Sequence, residues 1–154
     1  MATLREIAGK IEATIPEIEA LMGELELLAA QEADVLINLR VFNGGAKDIR
    51  GRELKPYTEA YAKKREKAGL QTARKDLIFN KDSSVIFSNI RVGLTQNKPA
   101  LGFIKEKGAE IGGYQEKQNN TKIFQLNDEE RRIVKEKVRE HLFKRLREIT
   151  QQWR

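Results

Sequence analysis

GRELKPYTEAYAKKREKAGLQTARKDLIF, Gly51 to Phe79, joins a helix opening, a basic helix, a glycine stop and a short apolar run in one stretch. Proline has its φ already set and lacks an N–H that a first helical turn leaves unpaired, so Pro56-Tyr57 reads as the start of a helix. Gly69 is a natural left-handed stop. Tyr57 and Tyr61 are spaced to share one helix face. Lys63, Lys64, Arg65 and Lys67 fill the following turns, where the helix dipole favours positive charge, and Arg74 and Lys75 extend the basic run. The segment 50–75 therefore reads as a docked, basic connector helix with Tyr57 and Tyr61 as its anchors.

On its N-terminal side lies a region of opposite charge. Met1 to Ile49 holds 4 basic and 9 acidic residues, whereas Arg50 to Lys75 holds 9 basic and 3 acidic ones, within a chain of net charge +6. Complementary regions of this kind suit head-to-tail contacts between copies, and a basic block also suits phosphate. For any single Lys or Glu a solvated helix face is the simpler reading.

Leu4, Ile11, Ile18 and Leu25 recur every seven residues, as do Ile7, Thr14, Leu21 and Leu28, so residues 1–49 read as a helical arm or layer. Thr14-Ile15-Pro16-Glu17 has capping-box spacing, which predicts a short helix ending near Ala13 and a longer one after Thr14. The stripe resumes at Val35, Leu39 and Phe42 before Asn43-Gly44-Gly45. Internal packing of this stripe is favoured over packing on a partner chain.

C-terminal to the basic segment, residues 76–126 are expected to form a small antiparallel sheet. Val85 to Phe87, Ile90 to Val92 and Ala100 to Ile104 are β-branched or aromatic runs, and Thr95, Gln96, Asn97 and Lys98 before Pro99 have turn composition. Gly108, Gly112 and Gly113 suggest a loop that runs on through Gln115 to Thr121, and Lys122 to Phe124 reads as a third strand. A sheet this small needs helices on one face. Residues 127–154 supply one: Asn127 and Glu130 have N-cap spacing, and Val134, Val138, Leu142, Leu146, Ile149 and Trp153 recur at helical intervals. Trp153 reads as the end of that core stripe, or else as an anchor for a neighbour. The expected architecture is one α+β domain over 1–154, with a helical N-terminal region and a long C-terminal helix packed on the sheet.

With no cysteine, the chain has neither disulfides nor thiolate chemistry, and no window approaches the ~20 apolar residues of a membrane span. Neither secretion nor membrane insertion is expected. His141 is the only histidine, and the serines lack a base or a glycine-rich elbow near them in sequence. Asp76, Asp82, Glu106 and Glu110 follow no metal-ligand spacing. No catalytic, cofactor-binding or metal-binding residue is assigned, and the chain is not read as an enzyme.

Gly51, Leu54, Pro56, Tyr57, Thr58 and Tyr61 together form a G-x-x-L-x-PYT-x-x-Y segment. Further on come Asp76-Leu77-x-Phe79, Leu101-Gly102-Phe103 with Ala109 and Gln115, and Phe124-Gln-Leu-Asn-Asp-Glu-Glu130. In this order the elements resemble the virion morphogenesis and tail-completion proteins of tailed bacteriophages, with Asn80-Lys81-Asp82 standing where those proteins often carry a Thr-Gly turn. The resemblance implies a structural virion protein made in the host cytoplasm, a neck or head-tail joining subunit in a ring between portal and tail. Its partners would be other copies of itself, six as a first guess, together with the portal or connector and tail-tube proteins. Loops Thr95 to Pro99 and Gly112 to Thr121 would meet the adjoining ring, and basic residues would face passing genomic DNA. The alternative is a sequence-independent nucleic-acid-binding protein using Arg50 to Lys75.

Overall fold

Thr3 opens the first helix with a reciprocal capping box: its hydroxyl accepts from the Glu6 N–H, and its own N–H donates to the Glu6 carboxylate at 2.7 Å. The computed structural model describes residues 3–43, 45–73, 75, 77, 90–95, 98–103 and 106–151, with backbone alone for 42, 43, 90–95, 98 and 107. From the Thr3 cap, α1 runs unbroken from Leu4 to Asn38, about 50 Å at 1.5 Å per residue, and continues into a π-helical turn, Leu39–Asn43. The break expected at Thr14 to Glu17 does not occur. Thr14 donates its hydroxyl to the Lys10 carbonyl at 2.7 Å, a bond made from inside a helix, and Pro16 lies within the same helix. The T-x-x-E spacing that caps this helix is the one at Thr3.

Four further elements follow in helical or hairpin form. They are α2, Glu59–Lys67; a hairpin of β1, Ile90–Thr95, and β2, Lys98–Phe103; α3, Glu106–Asn119; and α4, Asp128–Gln151. The chain is thus mostly helical and ends in a long helix. Helix α2 starts three residues after Pro56, with Thr58 at its N-cap position but no capping bond from the Thr58 hydroxyl, and stops as expected at Gly69, whose φ is +66°.

The sheet layer expected over 76–126 is not formed among the described residues, where strand pairing is confined to the hairpin and an isolated bridge between Lys47 and Glu53. The hairpin pairs antiparallel from Ile90 with Phe103 to Thr95 with Lys98. Residues 85–87 lie outside the described set. Lys122 to Phe124 is not a strand, because side chains take its backbone groups: Glu116 accepts the Ile123 and Phe124 N–H groups, and Arg40 donates to the Ile123 carbonyl. The glycine-bearing stretch from Gly108 to Gln115 is likewise helix and not loop. Gly112 faces the Phe103 ring so closely that an added Cβ would lie 2.5 Å from the ring, so the glycine lets α3 pack onto β2.

The described residues form two apolar cores. Antiparallel packing of α4 on α1 buries Leu21, Leu25 and Ile149, flanked by Val138, Leu142 and Leu146. Lys137 pairs with Glu32 and Arg145 with Glu24 along the same seam. The C-terminal helix therefore packs on the N-terminal helix and not across a sheet: its apolar stripe matches another helix stripe, and the hairpin is too narrow to cover it. In the second core Ile37, Val41, Ala46, Leu54, Leu77 and Ile123 meet, with Leu101, Phe124 and Leu126 against them. Each fully buried Leu, Ile or Val among them stabilises the fold by about 1.5–3 kcal/mol relative to exposure.

Candidate functional surfaces

From Leu4 to Met22 the side chains of α1 are exposed, apart from Thr14 and Leu21. Leu4, Ile7, Ile11, Ile15, Ile18 and Met22 are among the exposed large apolar residues, between 44% and 87% accessible. Their spacing keeps them on one side of the helix, so they form a continuous apolar seam about five turns long. The heptad read from sequence is thus divided between two uses. Leu21 and Leu25 pack internally on α4, while Leu4, Ile7, Ile11 and Ile18 face solvent, which corrects the expectation of internal packing for the first half of the stripe. The exposed carboxylates Glu12, Glu17 and Glu19 lie on the same arm.

The basic residues of α2 are also divided. Lys63, Lys64 and Lys67 are exposed, as a phosphate- or carboxylate-facing surface needs, but Arg65 is 1% exposed. Its guanidinium lies 4.3 Å from the Tyr57 ring centroid and donates to the Gln71 carbonyl at 3.0 Å. A desolvated cation over an aromatic face is worth about 2 kcal/mol, so Arg65 holds the helix to its anchor and does not belong to the outward basic surface. Arg74 and Trp153 lie outside the described residues.

Beside α2 lies a half-open cavity of about 620 Å³, lined by Tyr57, Tyr61, Lys75, Tyr114, Gln115 and Gln118 among others. The Tyr57 and Tyr61 rings meet at 5.3 Å between centroids and 60° between planes. Lys75 is 4% exposed, and its ammonium donates to the side-chain oxygens of Gln115 at 3.2 Å and Gln118 at 3.4 Å and lies 5.6 Å from the centre of the Tyr57 ring. Burial pushes the Lys75 ammonium below the usual lysine range, and nearby Lys55 pushes it further. Among the residues singled out from sequence, Tyr57, Tyr61, Lys75 and Gln115 are brought together here. The loop role expected of Gln115 is replaced by a buried position on α3.

No family model, characterised protein or solved structure matches this chain. Its surfaces therefore have to be read from their own chemistry. Of the expected ring-contact loops, Gln96 and Asn97 lie outside the described residues, while Thr95 and Lys98 pair as the last rung of the hairpin. Gly113 is exposed on α3, and Gly112 is buried. Among the described residues no helix is long and apolar enough to cross a membrane, and no three His, Asp or Glu side chains converge as metal ligands.

Two polar centres had no distinct signal in the sequence. Arg40 donates to the Glu130 carboxylate at 2.7 Å and to the carbonyls of Lys47, Ile123 and Gln125, clamping three segments to its own. Asp48 accepts from the Arg50 and Arg52 N–H groups, the Arg52 side chain and the Thr121 hydroxyl. Burial alone would raise the Asp48 carboxyl, but these hydrogen bonds, led by those from Arg52, outweigh it and hold it below the usual aspartate range. The cap spacing from Asn127 to Glu130 marked one partner of Arg40. Nothing in the chain order marked Arg40 itself.

Proposed function

We propose that this chain is an assembly subunit, a structural virion protein of a tailed phage that joins head to tail as a neck or tail-completion ring. The observation that carries the assembly reading is the exposed apolar seam from Leu4 to Met22, which solvates several large aliphatic groups along one helix. Contiguous exposed apolar surface of this kind marks an interaction face. The seam lies on an acidic arm, and Lys63, Lys64 and Lys67 form an exposed basic turn elsewhere on the chain, so one copy offers surfaces of both signs to the next. Heterologous contacts of that type close into a ring when the rotation permits, six copies being the first expectation. The phage assignment rests on the motif order from Gly51 to Glu130, and the small sheet implied by that resemblance belongs to this reading, with the hairpin as its described part.

Two measurements test it. Sedimentation of the chain alone, and mixed with portal and tail-tube proteins, should give a cyclic oligomer in at least one condition, and Ile11→Glu with Ile18→Glu should abolish it while leaving the helical circular dichroism intact. Isologous dimers in the assembled particle, or assembly indifferent to the double variant, would overturn the ring. A second reading, sequence-independent nucleic-acid binding, is favoured only by the exposed Lys63, Lys64 and Lys67. It predicts binding by the free subunit that falls steeply with salt.

A further inference from the structure

We propose that the tyrosine-lined cavity between α2 and α3 is a binding site for an organic carboxylate, a single anionic group carried on a flat apolar body. The argument starts from Lys75. A lysine is almost never fully buried unless paired, yet no carboxylate lies within ion-pair distance of this one among the described residues, and its partners are two neutral amide oxygens. An ammonium has three N–H donors, so the amides leave one for an acceptor in the cavity. Among the described residues the charge that shifts it is Lys55, also positive, which an anion at the ammonium would offset.

The rest of the lining determines what kind of anion fits. Tyr57, Tyr61 and Tyr114 line the cavity with aromatic surface, Tyr57 nearest the ammonium, and Pro56 and Ile111 add apolar wall. Inorganic phosphate would leave that surface wet, whereas a ring or branched alkyl group bearing a carboxylate covers it while the oxygen reaches Lys75. At about 620 Å³ the space suits a small molecule or the last residues of a polypeptide. Glu110 also lines the cavity but forms no ion pair with Lys75, and its carboxylate disfavours a ligand that carries more than one negative charge.

The test uses the full chain with phenylacetate, its neutral analogue phenylacetamide, and a tetrapeptide ending in phenylalanine with a free or an amidated terminus, followed by amide chemical shifts. Phenylacetate or the acid-ended peptide is expected to shift resonances of Tyr57 to Tyr61, Lys75 and Ile111 to Gln118. The neutral analogues should bind about tenfold more weakly or worse, the usual effect of losing one charge-assisted hydrogen bond. Stronger binding of the acid-ended peptide than of phenylacetate assigns the site to a neighbouring chain's terminus, and the reverse assigns it to a free acid. Lys75→Met should erase the preference for the charged ligand. Should that variant fail to fold, Gln118→Glu serves instead: it places a carboxylate beside Lys75 from an exposed position and should block the anion. Equal binding of acid and amide, or no shifts at these residues with any ligand, would overturn the proposal.

Discussion

Arg40 and Glu130, 90 residues apart in the chain, form a 2.7 Å ion pair in which both side chains are nearly buried, 8% and 9% exposed. Glu130 also accepts from the Asn127 N–H at 2.9 Å, while the Asn127 side chain accepts from the Glu130 N–H at 2.8 Å, so one carboxylate both caps α4 and pins it to the end of α1. The remaining Arg40 donors hold the carbonyls of Lys47, Ile123 and Gln125. Breaking a buried pair by removing one member leaves the other charge uncompensated, at about 3–5 kcal/mol. Arg40→Met and Glu130→Gln should each lose stability of that order in urea denaturation, and the double variant should lose less than the sum. Losses below about 1 kcal/mol would mean that water replaces the pair.

The adjacent glycines of α3 should respond in opposite directions. At Gly112 an alanine Cβ would meet the Phe103 ring, whereas at Gly113 it would meet nothing within 4 Å. Gly112→Ala is expected to lower stability by about 1–3 kcal/mol through overpacking. Gly113→Ala should raise it by roughly 0.5–1 kcal/mol, the usual gain for alanine over glycine in a helix. Thermal melts of the two variants, compared with the parent chain, decide the matter.

Acid should unfold the chain through two carboxylates in particular. Burial acts to raise both Asp48 and Glu116, but hydrogen bonds from Arg52, Thr121 and Arg50 to the first, and from Ile123, Lys122 and Phe124 to the second, leave each below its ordinary value. A carboxyl whose folded value is depressed binds fewer protons in the folded state, so its stabilisation is complete above the unfolded value, about 4, and is lost as pH falls through the folded value. Asp48→Asn should flatten the dependence of the urea midpoint on pH below about 5 and leave the curve above that lower but parallel. An unchanged acid limb would remove Asp48 from this account.

Replacing Lys63, Lys64 and Lys67 with glutamine should leave the melting temperature unchanged, because all three are exposed. Any DNA binding by the free subunit should weaken uniformly across sequences and lose part of its salt dependence, as expected for phosphate contacts without base readout. Adding Arg65→Gln is expected to cost stability, since that guanidinium is stacked on Tyr57 and buried. Sequence-selective, salt-tolerant binding abolished by the triple variant would instead favour a nucleic-acid-binding function.

Legibility in the sequence followed the range of the forces involved. The Asn127 to Glu130 cap, the α4 stripe and the Gly69 stop were readable because each depends on residues within a turn of one another. The capping box at Thr3 has the same local character, and Thr14 to Glu17 imitates its spacing inside an intact helix. Lys122 to Phe124 has strand composition, yet Glu116 and Arg40 satisfy its backbone from outside, and no periodicity registers that. Gly112 and Gly113 resembled loop residues because the Phe103 ring that explains the first is distant in sequence.

By itself the sequence determined the helical ends of the chain, the basic α2 with its tyrosine anchors, and the opposition of an acidic first region to a basic second one, all set by spacing, propensity and charge count. Tertiary structure alone decided which half of the α1 stripe is covered, that α4 lies on α1, that Arg40 clamps Glu130, and that Lys75 meets Tyr57, Tyr61 and Gln115 around a cavity. The physical reason is that burial, desolvation and ion pairing depend on which surfaces the folded chain brings within a few ångströms, and residues tens of positions apart carry no local signal of that meeting.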